Sequence, residues 1–271
     1  MSKTTSSNIK ESPCKKYLQW KSVYKITTDS DGDEIKKLVG GNFTFYDKVT
    51  EENVPVKLPF RFAVIEPDTF NFKGYNETTK QGAWSNEVRN RRFSEGDKNM
   101  VVTIRNKDGK LYEFKAGDSS KVKDKLKSLS VKRHQSVYIV VDNEGEFEIW
   151  NLQLKGSQLS GGVDLKSKDF EDRIAGWFGF TQVYSDKLYD NWIEINKSTI
   201  RSNDAMKFSV PVYKLGEPIS AEDNEKIVAL DKAFQEYFEW YITKPVEVKK
   251  EEDEDAPDDY PVDWDSVKDE D

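Results

Sequence analysis

The stretch MVVTIRN-KDG-KLYEFKA (residues 100–116) constrains the fold more than any other part of the chain. Two runs in which β-branched and aromatic residues alternate with polar ones flank Asp108-Gly109, residues that tolerate positive φ. This is the pattern of a β-hairpin. A second hairpin, with longer arms, is read in SVYIVVD-NEG-EFEIWNLQLKG (136–156). Two such hairpins commit the chain to antiparallel sheet, and the rest agrees. There are 15 Phe, 12 Tyr and 7 Trp against 13 Leu, and rings favour strands. KYLQWKSVYKI (16–26), NFTFYDKV (42–49), LPFRFAVIEP (58–67), TFNFKGY (69–75), YDNWIEINKS (189–198) and MKFSVPVYKLG (206–216) read as further strands. TDSDGDE breaks the chain after the first of them, and residues 76–99 read as a polar loop.

Helical periodicity is rarer. Val122, Leu126 and Leu129 recur at i, i+4, i+7 within 119–132, and 157–175 is a weaker candidate because of Gly161-Gly162. The firmest helix is 220–243. Ser220 and Asp223 have capping-box spacing, and Ile227, Leu230, Phe234, Tyr237, Phe238 and Tyr241 form one apolar face. Pro245 blocks its continuation. The expected fold class is mainly β (α+β): a small barrel or sandwich with insertions and a C-terminal amphipathic helix. Residues 1–13 are expected to be flexible, 14–244 to form one domain, and 245–271 to be a disordered acidic tail.

That tail accounts for the sign of the net charge, −8 overall. From Glu247 onward there are 13 Asp+Glu and 3 Lys, a net of −10, which leaves residues 1–246 at +2. A mildly basic body carries an acidic strip in which Tyr260 and Trp264 are set among Asp259, Asp263, Asp265, Asp269, Glu270 and Asp271.

Familiar catalytic patterns are missing. The sequence holds no GxxxxGK[ST], GxSxG, HExxH or zinc spacing. Cys14 and His134 each stand alone in type, so no disulfide, cysteine metal site or multi-histidine site is expected, and His134 reads as a surface or packing residue. DSDGDE (29–34) lacks the glycine and glutamate positions of an EF-hand loop and reads as a polar turn. Gly40-Gly41 and Gly161-Gly162 are not phosphate loops. No catalytic residue, cofactor or metal is assigned. With no apolar leader and no run of 18 apolar residues, neither secretion nor a membrane span is expected, and a reducing cytoplasm fits best.

One mixture does stand out. FNFKGYNETTKQGAWSNEVRNRRF (70–93) interleaves Phe70, Phe72, Tyr75, Trp84 and Phe93 with Lys73, Lys80, Arg89, Arg91 and Arg92. Trp20, Lys21 and Tyr24 repeat the theme near the start of the chain. Rings offer faces for base stacking, while Lys and Arg neutralise phosphates. No basic helix is present for a duplex groove, so the mixture favours a single strand. The alternative is that Phe70 and Phe72 are core and the charges solvate a loop. A tethered polyanion competes with DNA for a basic groove, and, once displaced, is available to other proteins. The alternative for the tail is solubility alone.

KYLQW, LPFRFAVIE, KGYNETTKQGAWSNEVRN, LQLKGSQLSGG and PVYKLGEPISAEDNEKIVALDKAFQEYFEWY, spread over residues 16–242, resemble the single-stranded DNA-binding proteins of tailed bacteriophages, in particular of crAss-like phages. The acidic terminus resembles theirs too, although it ends in Lys-Asp-Glu-Asp rather than an aromatic residue. The resemblance implies an OB-like β-barrel, no catalysis, a host-cytoplasmic location and a part in phage DNA replication or recombination. It places DNA contacts at Trp20, Tyr75, Trp84, Arg89, Arg91 and Arg92, to which the mixture of rings and cations adds Lys21, Tyr24, Lys73 and Phe93. The tail would recruit a polymerase, helicase or primase. Homo-oligomer formation is left open. The competing expectation is a β-rich phage interaction or structural protein whose acidic tail mimics nucleic acid. An enzyme acting on nucleic acid is a distant third.

Overall fold

The computed structural model describes residues 10–89, 98–162, 169–202 and 206–243. It is mainly β. The strands are β1 (Cys14–Thr28), β2 (Glu34–Asp47), β3 (Glu52–Pro55), β4 (Phe60–Asn76), β5 (Gln81–Ser85), β6 (Val88–Arg89), β7 (Val101–Asn106), β8 (Gly109–Lys115), β9 (Val131–Asn143), β10 (Glu146–Leu154), β11 (Asn191–Ser202) and β12 (Lys207–Pro218). The helices are α1 (Lys123–Ser128), α2 (Ser157–Ser160), α3 (Phe170–Arg173), α4 (Gly176–Val183) and α5 (Ala221–Thr243). Among the described residues no helix is long and apolar enough to cross a membrane.

One large sheet runs β3-β2-β1-β10-β9-β4-β5-β7-β8. Its neighbours are antiparallel except β1 and β10, which are parallel. The two predicted hairpins form β7–β8 and β9–β10. Glu144 and Gly145 of the latter take positive φ, as its tight turn requires.

The predicted third and fourth strands are one strand of 17 residues. Proline lacks the N–H that a central strand's ladder uses. Here Pro67 sits where the β4–β9 register shifts, between Glu66 and Thr69, so the ladder loses no bond to it. Gln135 Nε2 donates to the Pro67 carbonyl at 2.7 Å. The predicted loop 76–99 is also corrected. Its Gln81–Ser85 segment is a strand between β4 and β7.

The sheet does not close into a barrel. β4 divides its partners: Phe60–Phe62 pair with β11, while Ala63 onward pairs with β9 and leads out to β5, β7 and β8. The β11–β12 hairpin returns over β2 through side chains. Trp20 Nε1 donates to the Ser209 carbonyl and Oγ, each at 3.1 Å, and Gly41 N–H donates to Ser198 Oγ at 2.9 Å. A Cβ on Gly41 would lie 2.5 Å from the Trp20 ring, so this approach requires glycine.

Strand alternation sorts the apolar side chains into three clusters. Phe60, Phe62 and Val64 of β4 join Val137, Ile139 and Leu152 in the curl of the sheet. Ala63, Ile65, Tyr138 and Val140 face the other way, under Ile227, Phe234 and Phe238 of α5. Phe70, Phe72, Val102, Ile104 and Leu126 form a third cluster in the outlying lobe. Helix α5 starts with the Asp223 N–H donating to Ser220 Oγ at 3.1 Å.

Candidate nucleic-acid interface

Residues paired across a ladder share a face, and so do residues two apart along one strand. Trp84 pairs with Lys73 on β4 and with Arg105 on β7. Lys73 pairs with Lys132 on β9. His134 and Ser136 follow at steps of two, and Ser136 pairs with Gln153, which pairs with Gln19 of β1. Lys21 is two residues on. Register therefore sets Lys21, Lys132, Lys73, Tyr75, Trp84 and Arg105 on one face of six strands. Phe70, Phe72 and Ile104 lie on the opposite face of the lobe. The sequence stretch 68–135 that builds this lobe holds 16 Lys+Arg against 9 Asp+Glu, a concentration of positive charge that draws polyanions.

The face is not uniformly wet. Lys73 is half-buried as a residue, and its ammonium donates to Gln153 Oε1 at 3.0 Å. Burial pushes Lys73 down to about 8, against the attraction of Glu87. Glu87 is 1% exposed. Its carboxylate accepts from Ser136 Oγ at 2.6 Å, Tyr138 OH at 2.5 Å and Asn71 Nδ2 at 3.4 Å. Three donors compensate a buried charge that would otherwise be costly. Burial also lowers Arg105, with Tyr241 of α5 and Glu113 opposing. Tyr241, near the C-terminal end of α5, is thus within electrostatic reach of Arg105.

The predicted contacts divide. Tyr75 and Trp84 are half-buried on this face, with Lys73 between them and β9, and Lys21 is half-buried on β1. Tyr24 is 49% exposed, on the projecting part of β1–β2. Two expectations are corrected. Trp20 is 8% exposed and packs edge-on against Phe43 at 5.0 Å in the core. Arg89 is 2% exposed. Its guanidinium donates to Glu239 and Gln235 of α5, pairs with Glu66 at 3.3 Å and lies 4.6 Å from the Phe238 ring centroid. It fastens α5 to the sheet and is not available to a ligand. Arg91, Arg92 and Phe93, and the tail residues Asp259, Tyr260, Asp263, Trp264, Asp265, Asp269, Glu270 and Asp271, lie outside the described residues.

Sequence reasoning passed over Arg105, Lys132 and Glu87. Arg105 sits in a strand whose alternation is visible, but Lys132 falls at the end of the segment expected to be helical (119–132) and is in fact in β9, and only register shows that both share a face with Trp84. Among the described residues no group of three His, Cys, Asp or Glu is placed to hold a metal ion. No family model, curated protein or solved structure matches the chain.

Proposed function

We propose that this protein binds single-stranded DNA along the face that carries Tyr75, Trp84, Arg105 and Lys132, with the Lys73 ammonium, bonded to Gln153, adding its charge. The observation that supports the reading is the strand register, which gathers rings and cations from four strands onto one side of the basic lobe. Bases stack on Trp84 and Tyr75, and the cations meet the phosphates. In this reading the curled part of the sheet is an elaborated OB-like barrel, with β11–β12 lying where closing strands would be. The acidic terminus competes with DNA for the face. It follows α5 in sequence, and Tyr241 of α5 is within electrostatic reach of Arg105. When displaced by DNA it recruits a replication protein such as a polymerase, helicase or primase.

The test is a fluorescence titration with oligo-dT at two salt concentrations. A face making three or four phosphate contacts gives a log–log salt slope of about −2 to −3. No binding at low salt would overturn the reading.

The burial of Trp20 and Arg89 removes two expected contacts and favours a second reading, an interaction protein whose acidic terminus mimics nucleic acid. In that case the isolated 247–271 peptide binds a basic partner unaided, and the body ignores oligo-dT.

A further inference from the structure

The β1–β2 hairpin runs on beyond the sheet that supports it. β1 pairs with β10 only as far as Gln19, yet its ladder with β2 continues to Thr28 and Glu34. β2 pairs with β3 only from Thr44 to Asp47. Among the described residues, the outer edge of β2 over 34–39 therefore has no strand partner. This ribbon is apolar for its exposure: Val23, Ile26, Ile35 and Val39 are 44%, 61%, 45% and 47% exposed. Its tip, residues 29–34, holds four acids and no base. Asp29 is turned onto its own loop, accepting from the N–H groups of Asp31 and Asp33, while Asp31, Asp33 and Glu34 face solvent.

A free edge with exposed Val and Ile is a template for strand addition, which the exposed Lys36 and Lys37 on it blunt only in part. The opposite end of the same sheet offers a second free edge, with positive charge beside it that complements the acidic tip. β8 is the last strand there and pairs only with β7. Leu111 on it is 40% exposed, and Val101 on β7 is 48% exposed. Beside it lies α1, with Lys125 Nζ 5.8 Å from the Tyr112 ring centroid of β8. Lys121, Lys123, Lys125 and Lys127 are all exposed. These lysines are not part of the DNA face, because α1 packs through Leu126 on the cluster of Phe70 and Phe72, behind it.

We propose that the β1–β2 ribbon of one molecule docks on the β8–α1 end of a second copy. The 34–39 edge of β2 adds to the edge of β8, and Asp31 and Asp33 meet the lysines of α1. Six residues of β2 span about 20 Å, and β8 offers a strand of 7 residues. The two surfaces differ, so the contact is head-to-tail and open-ended. It extends the sheet and sets successive DNA faces in a row, but it does not depend on DNA being bound.

The experiment is sedimentation velocity of the full-length chain without nucleic acid. The wild type is expected to associate in a concentration-dependent way at about 0.05 M salt and to dissociate at about 1 M, where the Debye length falls to about 3 Å. Asp31→Lys with Asp33→Lys, and separately Lys123→Glu with Lys127→Glu, should each weaken association at least tenfold. An equimolar mixture of the two variants should recover it, because each reversed surface then finds its opposite. Ile35→Lys should weaken association at about 0.05 M salt, and all variants should keep the wild-type circular dichroism and melting temperature. A wild type that stays monomeric at low salt, or a mixture that does not recover, overturns the proposal. Oligo-dT binding is read separately, so either conclusion can fail alone.

Discussion

Trp84 and Trp20 are the same residue type in two environments, and the difference sets what each can do. Trp20 is a structural ring, hydrogen-bonded to Ser209 at the junction with β12. Trp20→Ala is expected to cost about 3–5 kcal/mol of stability, read in a denaturant melt, with oligo-dT affinity unchanged for the molecules that remain folded. Trp84→Ala is expected to do the reverse. Loss of one stacking partner costs about 1–3 kcal/mol of binding, a factor of about 5 to 150, with little change in the melt. Lys73 adds a pH signature. Its folded value of about 8 lies below its ordinary 10.5. Between the two the unfolded chain binds more protons, so Lys73 makes stability rise with pH across that window. DNA binding goes the other way, since only the ammonium attracts phosphate. Affinity for oligo-dT should fall between pH 7 and pH 9, and Lys73→Gln should flatten the fall. Identical pH profiles for the two proteins would show that the Lys73 charge does not act on the DNA.

Among the elements, α5 and the β11–β12 hairpin are held to the sheet by contacts distant in sequence. Arg89 reaches Glu239 across 150 positions, and Trp20 reaches Ser209 across 189. Arg89→Ala leaves Glu66, itself 8% exposed, without its guanidinium. About 3 kcal/mol of destabilisation is expected, measured as lower protection of α5 amides in hydrogen exchange. Gly41→Ala drives a methyl into Trp20 and Ser209 and should cost about 1–3 kcal/mol in the same melt. These contacts also mark what could be read in advance. The hairpins at 100–116 and 136–156 were legible because turn residues and alternation are local. The Ser220 cap and the stripe of Ile227, Phe234 and Phe238 were legible for the same reason. The bulge that carries Pro67 through β4 was not, because a proline inside a strand depends on where its neighbour's register slips. Nor were the burials of Trp20 and Arg89, whose partners lie at the far end of the chain. Trp84, Lys73 and Tyr75 were found from composition, but that they share a face with Arg105 and Lys132 is a property of register alone.

For the whole molecule, charge and position combine. The terminus from Glu247 carries a net of −10 and follows α5 in sequence, whose Tyr241 is within electrostatic reach of Arg105. In the proposed competition, tethering sets the terminus at an effective concentration of about millimolar. Deleting 247–271 should tighten oligo-dT binding most at low salt, and the gain should vanish as salt screens the competition. The account rests on one face of one sheet meeting the DNA. Photocrosslinking of oligo-dT to the full-length protein, followed by peptide mapping, addresses it most directly. Crosslinks at Tyr75 and Trp84, with none at Trp20, are predicted. Crosslinks confined to the α1 lysines behind that face, or none on β4 and β5, would contradict it.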